Sequence, residues 1–181
     1  MKEIRLHGRG GQGTVKASEI IVQAAVNGGL YACAIPFFGF ERSGAPVSAF
    51  VRIDEDVIWP KTQVYQPDCV MIMDATLRSA VPLFEGIREG ASVVVNAADK
   101  RVLDALDIPQ AVACVGWVDA RKISTEVLGR NLPNTTMLGA FARTTGLVDV
   151  QHLAQLTAEI FAPANADAVR RGYEEAEVLY L

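Results

Sequence analysis

The feature that most constrains the fold of this 181-residue chain is an alternation of short apolar runs with longer segments of helical period. Runs with the length and composition of β-strands occur at 4–7, 30–35, 69–73, 92–96 and 112–115. The stretches VMIM and SVVV are apolar or small at every position, which is typical of strands covered on both faces. The alternation predicts an α/β fold of three layers, with a largely parallel sheet in the middle.

The segments between and after these runs predict helices and one antiparallel hairpin. TVKASEIIVQAAVN carries its apolar residues at helical spacing, and the glycines that follow it would end that helix. VSAFVRI and VIWP flank an acidic turn at 54–56 and are interpreted as the two strands of the hairpin. The C-terminal part is predicted to be mostly helical, with helices at 120–128, 135–143, 150–161 and 164–179.

Length and charge limit the classes of partner. One domain over 1–181 accounts for the length. With 17 basic and 21 acidic side chains the net charge is −4, and no block of Lys or Arg is present, so we expect neither nucleic acid nor membrane as a partner. No apolar stretch reaches the roughly 20 residues of a membrane span. The start, MKEIRLHG, lacks the pattern of a secretory signal, and we expect a cytoplasmic protein.

The three cysteines are interpreted as reduced core thiols. Cys33, Cys69 and Cys114 each lie in an apolar run, and no CxxC pair occurs. An iron–sulfur cluster takes four ligands of this kind. We therefore expect no metal or cluster to be held by this chain alone.

The sharpest local signal is a glycine cluster between the first predicted strand and helix. Gly8, Gly10 and Gly13 satisfy the pattern GxGxxG, with Gly11 as an additional glycine and Gln12 beside it. Such a turn brings backbone N–H groups and a helix N-terminus to an anionic phosphate. The alternative is a tight turn that needs glycine only for backbone conformation and packing. The acidic residue expected about 20 positions later for NAD is absent, which argues against ordinary NAD binding.

Two further segments are candidate sites. The loop PFFGFERSGAP contains three phenylalanines with Glu41 and Arg42, which suits a docking or binding surface; a loop folded over its own core is the alternative. Asn134 or Thr135 is expected to cap a helix, and the amides freed there are an alternative anion site. His7, which ends the first strand, is the only histidine placed near any of these segments, and no catalytic constellation is evident.

In this order and spacing, HGRGGQG, FFGFERSGAPV and NLPNTTMLGA make the chain similar to the gamma subunit of the 2-oxoacid:acceptor oxidoreductases, the pyruvate:ferredoxin oxidoreductase family. The resemblance spans nearly the whole chain. It implies a complex with thiamine diphosphate and iron–sulfur clusters that decarboxylates a 2-oxo acid to an acyl-CoA. The acid would be pyruvate, a branched-chain acid or an aromatic one such as phenylglyoxylate. Electrons would pass to ferredoxin or, through a flavin subunit, to NAD.

The resemblance also implies which subunit of the complex holds each cofactor. Thiamine diphosphate would lie between the alpha and beta subunits and the clusters in beta or delta subunits. The gamma subunit would complete and stabilise the assembly and contribute to the environment of the substrate or of CoA. The family's glycine motif falls on Gly8, Gly10, Gly11, Gln12 and Gly13, and its acidic–basic loop on Glu41, Arg42, Gly44 and Pro46. Where many relatives carry a second basic residue after that arginine, this chain has Ser43. A free-standing CoA- or nucleotide-binding module and a purely structural subunit are the alternatives.

Overall fold

The computed structural model describes residues 1–37 and 43–181. Its strands are β1 (Lys2–Arg9), β2 (Tyr31–Phe37), β3 (Pro46–Asp54), β4 (Cys69–Ile72), β5 (Ala91–Asn96), β6 (Val112–Val118) and β7 (Glu177–Tyr180). Its helices are α1 (Thr14–Asn27), α2 (Lys100–Asp104), α3 (Ala120–Leu128), α4 (Asn134–Thr145), α5 (Val150–Ile160) and α6 (Ala164–Glu174), with a 3-10 helix at Ala75–Ser79. None of these helices is long and apolar enough to cross a membrane.

The strands form one sheet in the order β2-β3-β1-β4-β5-β6-β7. Strands β1, β4, β5 and β6 run parallel to one another in the centre, while β3 pairs antiparallel with both β1 and β2, and β7 pairs antiparallel with β6. The predicted α/β fold with a largely parallel sheet is therefore confirmed. Successive side chains of the parallel strands point to opposite faces of the sheet, and both faces are buried.

Two apolar cores lie on the two faces of this sheet. On one face, Met71 and Val94 pack against α1 and the C-terminal helices α3 to α6. On the other face, Ile72 and Val95 pack with Leu77 of the 3-10 helix and with α2. Because neighbouring residues of one strand enter different cores, the strands are covered on both sides, as their unbroken apolar runs predict.

The antiparallel hairpin is not the one expected. Strand β3 pairs with β2, whereas residues 57–60 form no strand. The buried guanidinium of Arg52 donates to the carbonyl oxygens of Thr62 and Gln63 and to a carboxylate oxygen of Glu3. Both edges of β3 are already paired, with β1 and with β2, so the segment after the acidic turn has no edge of β3 to join and is held instead by the Arg52 side chain.

The C-terminal segment also differs from its prediction. Helix α6 ends at Glu174 rather than near 179, and Glu177–Tyr180 forms β7 beside β6. Val178 and Tyr180 are residues that favour strands, and β6 offers the segment a free edge with which to pair. Tertiary pairing therefore prevails over the helical spacing of this segment.

Candidate functional site

The parallel strands β1 and β4 are neighbours at the point where the order of the strands along the sheet reverses. From β1 the chain passes through α1 to β2 on one side, and from β4 it passes to β5 on the other side. In open α/β sheets, ligands bind in the crevice outside the carboxyl ends of the strands at such a point. The glycine cluster begins at Gly8 near the carboxyl end of β1, continues past the strand to Gly13, and therefore lies at this crevice.

A cavity of about 360 Å³ opens at this carboxyl edge. Its lining comes from the segments that follow the four parallel strands: Gln12 after β1, Asp74 after β4, Asn96 at the end of β5 and Asp119 after β6, with Arg121 beside it. Polar side chains from four separate strands thus converge on one space. The volume lies in the range of small-molecule sites.

The glycines of the cluster have different local requirements. A Cβ atom at Gly8 would lie 2.0 Å from Thr14 Oγ1, and one at Gly13 would lie 2.6 Å from Asn134 Nδ2. At Gly11 a Cβ atom would meet nothing within 4 Å, although φ is +94°. Packing therefore explains Gly8, packing together with a φ of +77° explains Gly13, and the backbone at Gly11 is open to an approaching molecule.

The end of the aromatic loop is joined to the glycine cluster. The N–H of Gly10 donates to Ala45 O at 2.9 Å, and the N–H of Gly44 donates to Gly10 O at 3.1 Å. Two motifs that are more than 30 residues apart in sequence therefore form one surface. Glu41 and Arg42, the charged residues predicted for this loop, lie outside the described residues.

Asn134 is brought to the same place, but not as a helix cap. Helix α4 begins at Asn134 behind Pro133, and no side chain makes a cap hydrogen bond. The capping role predicted for Asn134 or Thr135 is therefore wrong, because the Asn134 side chain packs against Gly13 instead. Asn134 is 2% exposed, and its Oδ1 and the nearby Thr14 Oγ1 have no hydrogen-bond partner within the described residues.

His7 lies near the glycine cluster but does not line the cavity. Burial, followed by the positive charge of Arg5, lowers the pKa of His7 to about 4, so the imidazole is neutral at pH 7. Its Nδ1 lies 3.2 Å from Ser48 Oγ. These contacts give His7 a place in the packing of the sheet face rather than in the cavity.

The cysteines have the environment of structural thiols. Cys69 and Cys114 are buried and Cys33 is half-buried, on three different strands. Burial raises the pKa of the Cys69 and Cys114 thiols, which keeps them protonated and unreactive. In the described part of the chain, no three His, Cys, Asp or Glu side chains come together in a group that could hold a metal ion.

Comparison with known proteins gives the family. Residues 3–175 match the family model described as pyruvate ferredoxin/flavodoxin oxidoreductase. The chain belongs to this family.

Similar family members span the whole chain. The gamma subunit of NADH-dependent phenylglyoxylate dehydrogenase from Aromatoleum evansii is 44% identical, with 100% of this chain and 97% of that protein covered. Pyruvate synthase subunit PorC from Methanothermobacter thermautotrophicus is 45% identical, with 99% and 98% covered. The crystal structure of pyruvate oxidoreductase subunit PORC from Thermotoga maritima has a TM-score of 0.84 at 35% identity and covers 98% of this chain and 97% of that one.

This oxidoreductase-family chain also carries site residues that the sequence analysis did not single out. Arg9 Nε donates to Asp74 Oδ2 at 3.1 Å, and Gln12 Nε2 donates to the same oxygen at 3.1 Å. Arg9 also donates to Thr76 Oγ1 at 2.8 Å. A polar residue directly after the buried run VMIM is the signal that would have identified Asp74, because the carboxyl ends of parallel strands share one edge.

Proposed function

We propose that this chain is the gamma subunit of a 2-oxoacid oxidoreductase complex and that its glycine-cluster edge binds a phosphate group of CoA. In the complex, thiamine diphosphate and iron–sulfur clusters would be held by alpha-, beta- and delta-type subunits, and the product would be an acyl-CoA. The electron acceptor would be ferredoxin or a flavin subunit that reduces NAD. The relatives that support the assembly are themselves named as subunits, one of a phenylglyoxylate dehydrogenase and one of a pyruvate synthase, at more than 40% identity along nearly their full length.

The observation that carries the CoA proposal is the open backbone at Gly11. Gly11 lies three residues before Thr14, the first residue of α1, whose first N–H groups have no partner inside the helix and carry the positive end of the helix dipole. Gly11 has no Cβ atom to shield its backbone, and no other protein atom lies within 4 Å of the position that a Cβ atom would take. A phosphate can therefore approach the N–H groups closely, which is the geometry by which helix N-termini bind anions.

The charges beside the loop also fit a phosphate ester. Arg121 lines the cavity, and Lys122 follows it in the first turn of α3. Of the two carboxylates of the lining, Asp74 is paired with the Arg9 guanidinium, and Asp119 caps α3 by accepting from the N–H of Lys122 at 2.9 Å. A net-acidic chain thus presents donors and cations at this edge, where a polyanionic substrate such as CoA would be stabilised.

Three features support a binding role for this chain within the complex rather than the decarboxylation chemistry itself. Its one histidine near the edge is buried and neutral. Its cysteines number three, one fewer than a four-cysteine cluster requires. Relatives with nearly equal identity are named for phenylglyoxylate and for pyruvate. Because similarity of the gamma chain does not separate these acids, the proposal leaves the choice of 2-oxo acid to the other subunits.

The test compares two glycine variants in the assembled complex. Gly11→Ala places a methyl group on the open backbone, and Gly29→Ala imposes a similar strain at φ +85°, also with nothing within 4 Å, in the turn after α1. We expect Gly11→Ala to raise the dissociation constant of CoA at least about tenfold, which corresponds to about 1.4 kcal/mol. Gly29→Ala should leave it unchanged.

Calorimetric titration of CoA and the KM for the 2-oxo acid are the measurements. A higher dissociation constant for CoA with an unchanged KM for the oxo acid would support the proposed site. If Gly11→Ala binds CoA like the parent complex but assembles poorly, the glycines serve only packing between subunits. A chain that purifies from its host without partner subunits, thiamine diphosphate or iron would contradict the assignment as a gamma subunit.

A further inference from the structure

The Asp74 carboxylate connects the cavity to the glycine cluster. Its Oδ2 accepts hydrogen bonds from Arg9 Nε and Gln12 Nε2, each at 3.1 Å. Its Oδ1 accepts from the backbone N–H of Thr76 at 3.0 Å and from the Thr76 hydroxyl at 2.6 Å. One oxygen therefore caps the 3-10 helix that follows β4, and the other holds the glycine cluster.

The two residues held by Asp74 in turn determine the shape of the cluster. Gln12 Oε1 accepts from the N–H of Arg9 at 2.8 Å, which closes the turn. Arg9 Nη1 donates to Gly44 O at 3.0 Å, which ties the turn to the end of the neighbouring loop. Both ends of the Gln12 side chain thus take part in hydrogen bonds that shape the turn.

The charge state of Asp74 suits this task. Burial acts to raise its pKa, but the hydrogen bonds from Thr76 and Gln12 and the positive charge of Arg9 outweigh burial and lower the pKa below its ordinary value. The carboxylate is therefore ionised at neutral pH and accepts from all of its donors. A neutral amide at this position would turn a donor toward Arg9 and Gln12 or toward Thr76.

We propose that Asp74 is a positioning residue: acting through Arg9 and Gln12, it holds the glycine cluster in the conformation that receives the phosphate of CoA. This inference rests on the proposed function and deepens it, because it places one determinant of CoA affinity on β4, outside the glycine motif. Asp74 itself need not touch the ligand.

The test is Asp74→Asn in the assembled complex, with Asp99→Asn as the matched control. Asp99 follows β5, caps α2 through the N–H of Arg101 at 2.9 Å and pairs with the Arg101 side chain. Like Asp74, Asp99 is therefore a helix-capping aspartate paired with an arginine, and it follows the next strand of the sheet. It has no described contact to the glycine cluster. We expect Asp74→Asn to raise the KM for CoA and the inhibition constant of adenosine 3′,5′-bisphosphate about tenfold, and Asp99→Asn to change neither.

A merely structural role for Asp74 would not produce this pattern. Loss of folding or assembly lowers kcat whichever substrate is varied. Loss of positioning raises the KM for CoA and leaves the KM for the 2-oxo acid unchanged. If Asp74→Asn fails to assemble, Arg9→Lys provides the second variant, because lysine keeps the charge but cannot reach Asp74, Thr76 and Gly44 together. An unchanged KM for CoA in that variant would then overturn the proposal.

The glycine variants separate the two proposals. If Gly11→Ala weakens CoA binding and Asp74→Asn behaves like Asp99→Asn, the positioning role is wrong and the phosphate site stands. If neither Gly11→Ala nor Asp74→Asn changes CoA affinity, the proposal of a phosphate site is wrong, and the proposed positioning role of Asp74 is wrong as well. If both variants weaken CoA binding with the KM for the oxo acid unchanged, both proposals are supported.

Discussion

Acidification should destabilise this protein through His7 in a defined pH window. The imidazole has a pKa of about 4 in the folded chain, against an ordinary value of 6.5. As the pH falls below 6.5, the unfolded chain takes up a proton at His7 and the folded chain does not, so the free energy of unfolding decreases. Below about pH 4 the folded chain is protonated as well, and this contribution stops growing.

The size of the effect follows from the same two values. One pH unit corresponds to 1.36 kcal/mol, so the gap between 6.5 and about 4 amounts to about 3 kcal/mol. This is a large part of the 5–15 kcal/mol that stabilises a typical domain. Its physical source is the position of His7, which is 6% exposed near the Arg5 guanidinium, where a second positive charge would be poorly solvated.

The assay is urea unfolding of the parent chain and His7→Gln between pH 7 and pH 4.5. Glutamine cannot be protonated, and the carboxylates contribute equally to both proteins, so the difference in unfolding free energy isolates His7. The stability of the parent relative to the variant should fall by up to about 1.4 kcal/mol per pH unit once the pH is well below 6.5.

Direct titration provides the second readout. NMR of the imidazole signals, with His152→Gln to assign the two histidines, should show His7 titrating near pH 4. A difference in unfolding free energy that stays constant with pH, or a folded-state titration of His7 near 6.5, would refute the reasoning.

Two further predictions use the same unfolding assay. Gly8→Ala should cost about 1–3 kcal/mol, because its Cβ would lie 2.0 Å from Thr14 Oγ1, and adding Thr14→Ala should recover part of the loss; no recovery would place the clash elsewhere. Arg52→Met should cost about 3–5 kcal/mol, because it deprives Glu3 of a buried partner. Arg88→Met removes the half-exposed partner of the same carboxylate and should cost less than about 1 kcal/mol; equal losses would contradict this account.

The parallel core of the fold could be predicted from local patterns. The runs at 69–73 and 92–96 are apolar on both sides, and the structure confirms them as central strands covered by two cores. Helix α3 begins at Ala120 and ends at Leu128, as its spacing predicts. Such features depend on residues close together in the chain, so period and composition suffice to identify them.

Pairing partners could not be predicted in the same way. The segment after the acidic turn at 54–56 has strand-like residues, but both edges of β3 are taken by β1 and β2, and Arg52 donates to carbonyl oxygens beyond the turn. Residues 177–180 continue a helical spacing, but the edge of β6 is available to them and they form β7. In both cases a contact between residues distant in sequence, or on another element, outweighs the local preference.

The candidate site shows the same division. The sequence by itself determined that a glycine cluster connects the first strand to the first helix, because its glycines fall between a strand-like apolar run and a segment of helical period. It also determined the membership of the family, through motifs that retain their order and spacing. These are properties of residue types at particular positions.

Only the tertiary structure decided that Gly10, Ala45 and Asn134 lie at one edge and that Asp74, from a different strand, holds the cluster in place. The physical reason is that the carboxyl ends of parallel strands meet in space irrespective of their separation in sequence. A hydrogen bond across 62 residues depends on the order of the strands in the sheet, which no local pattern contains.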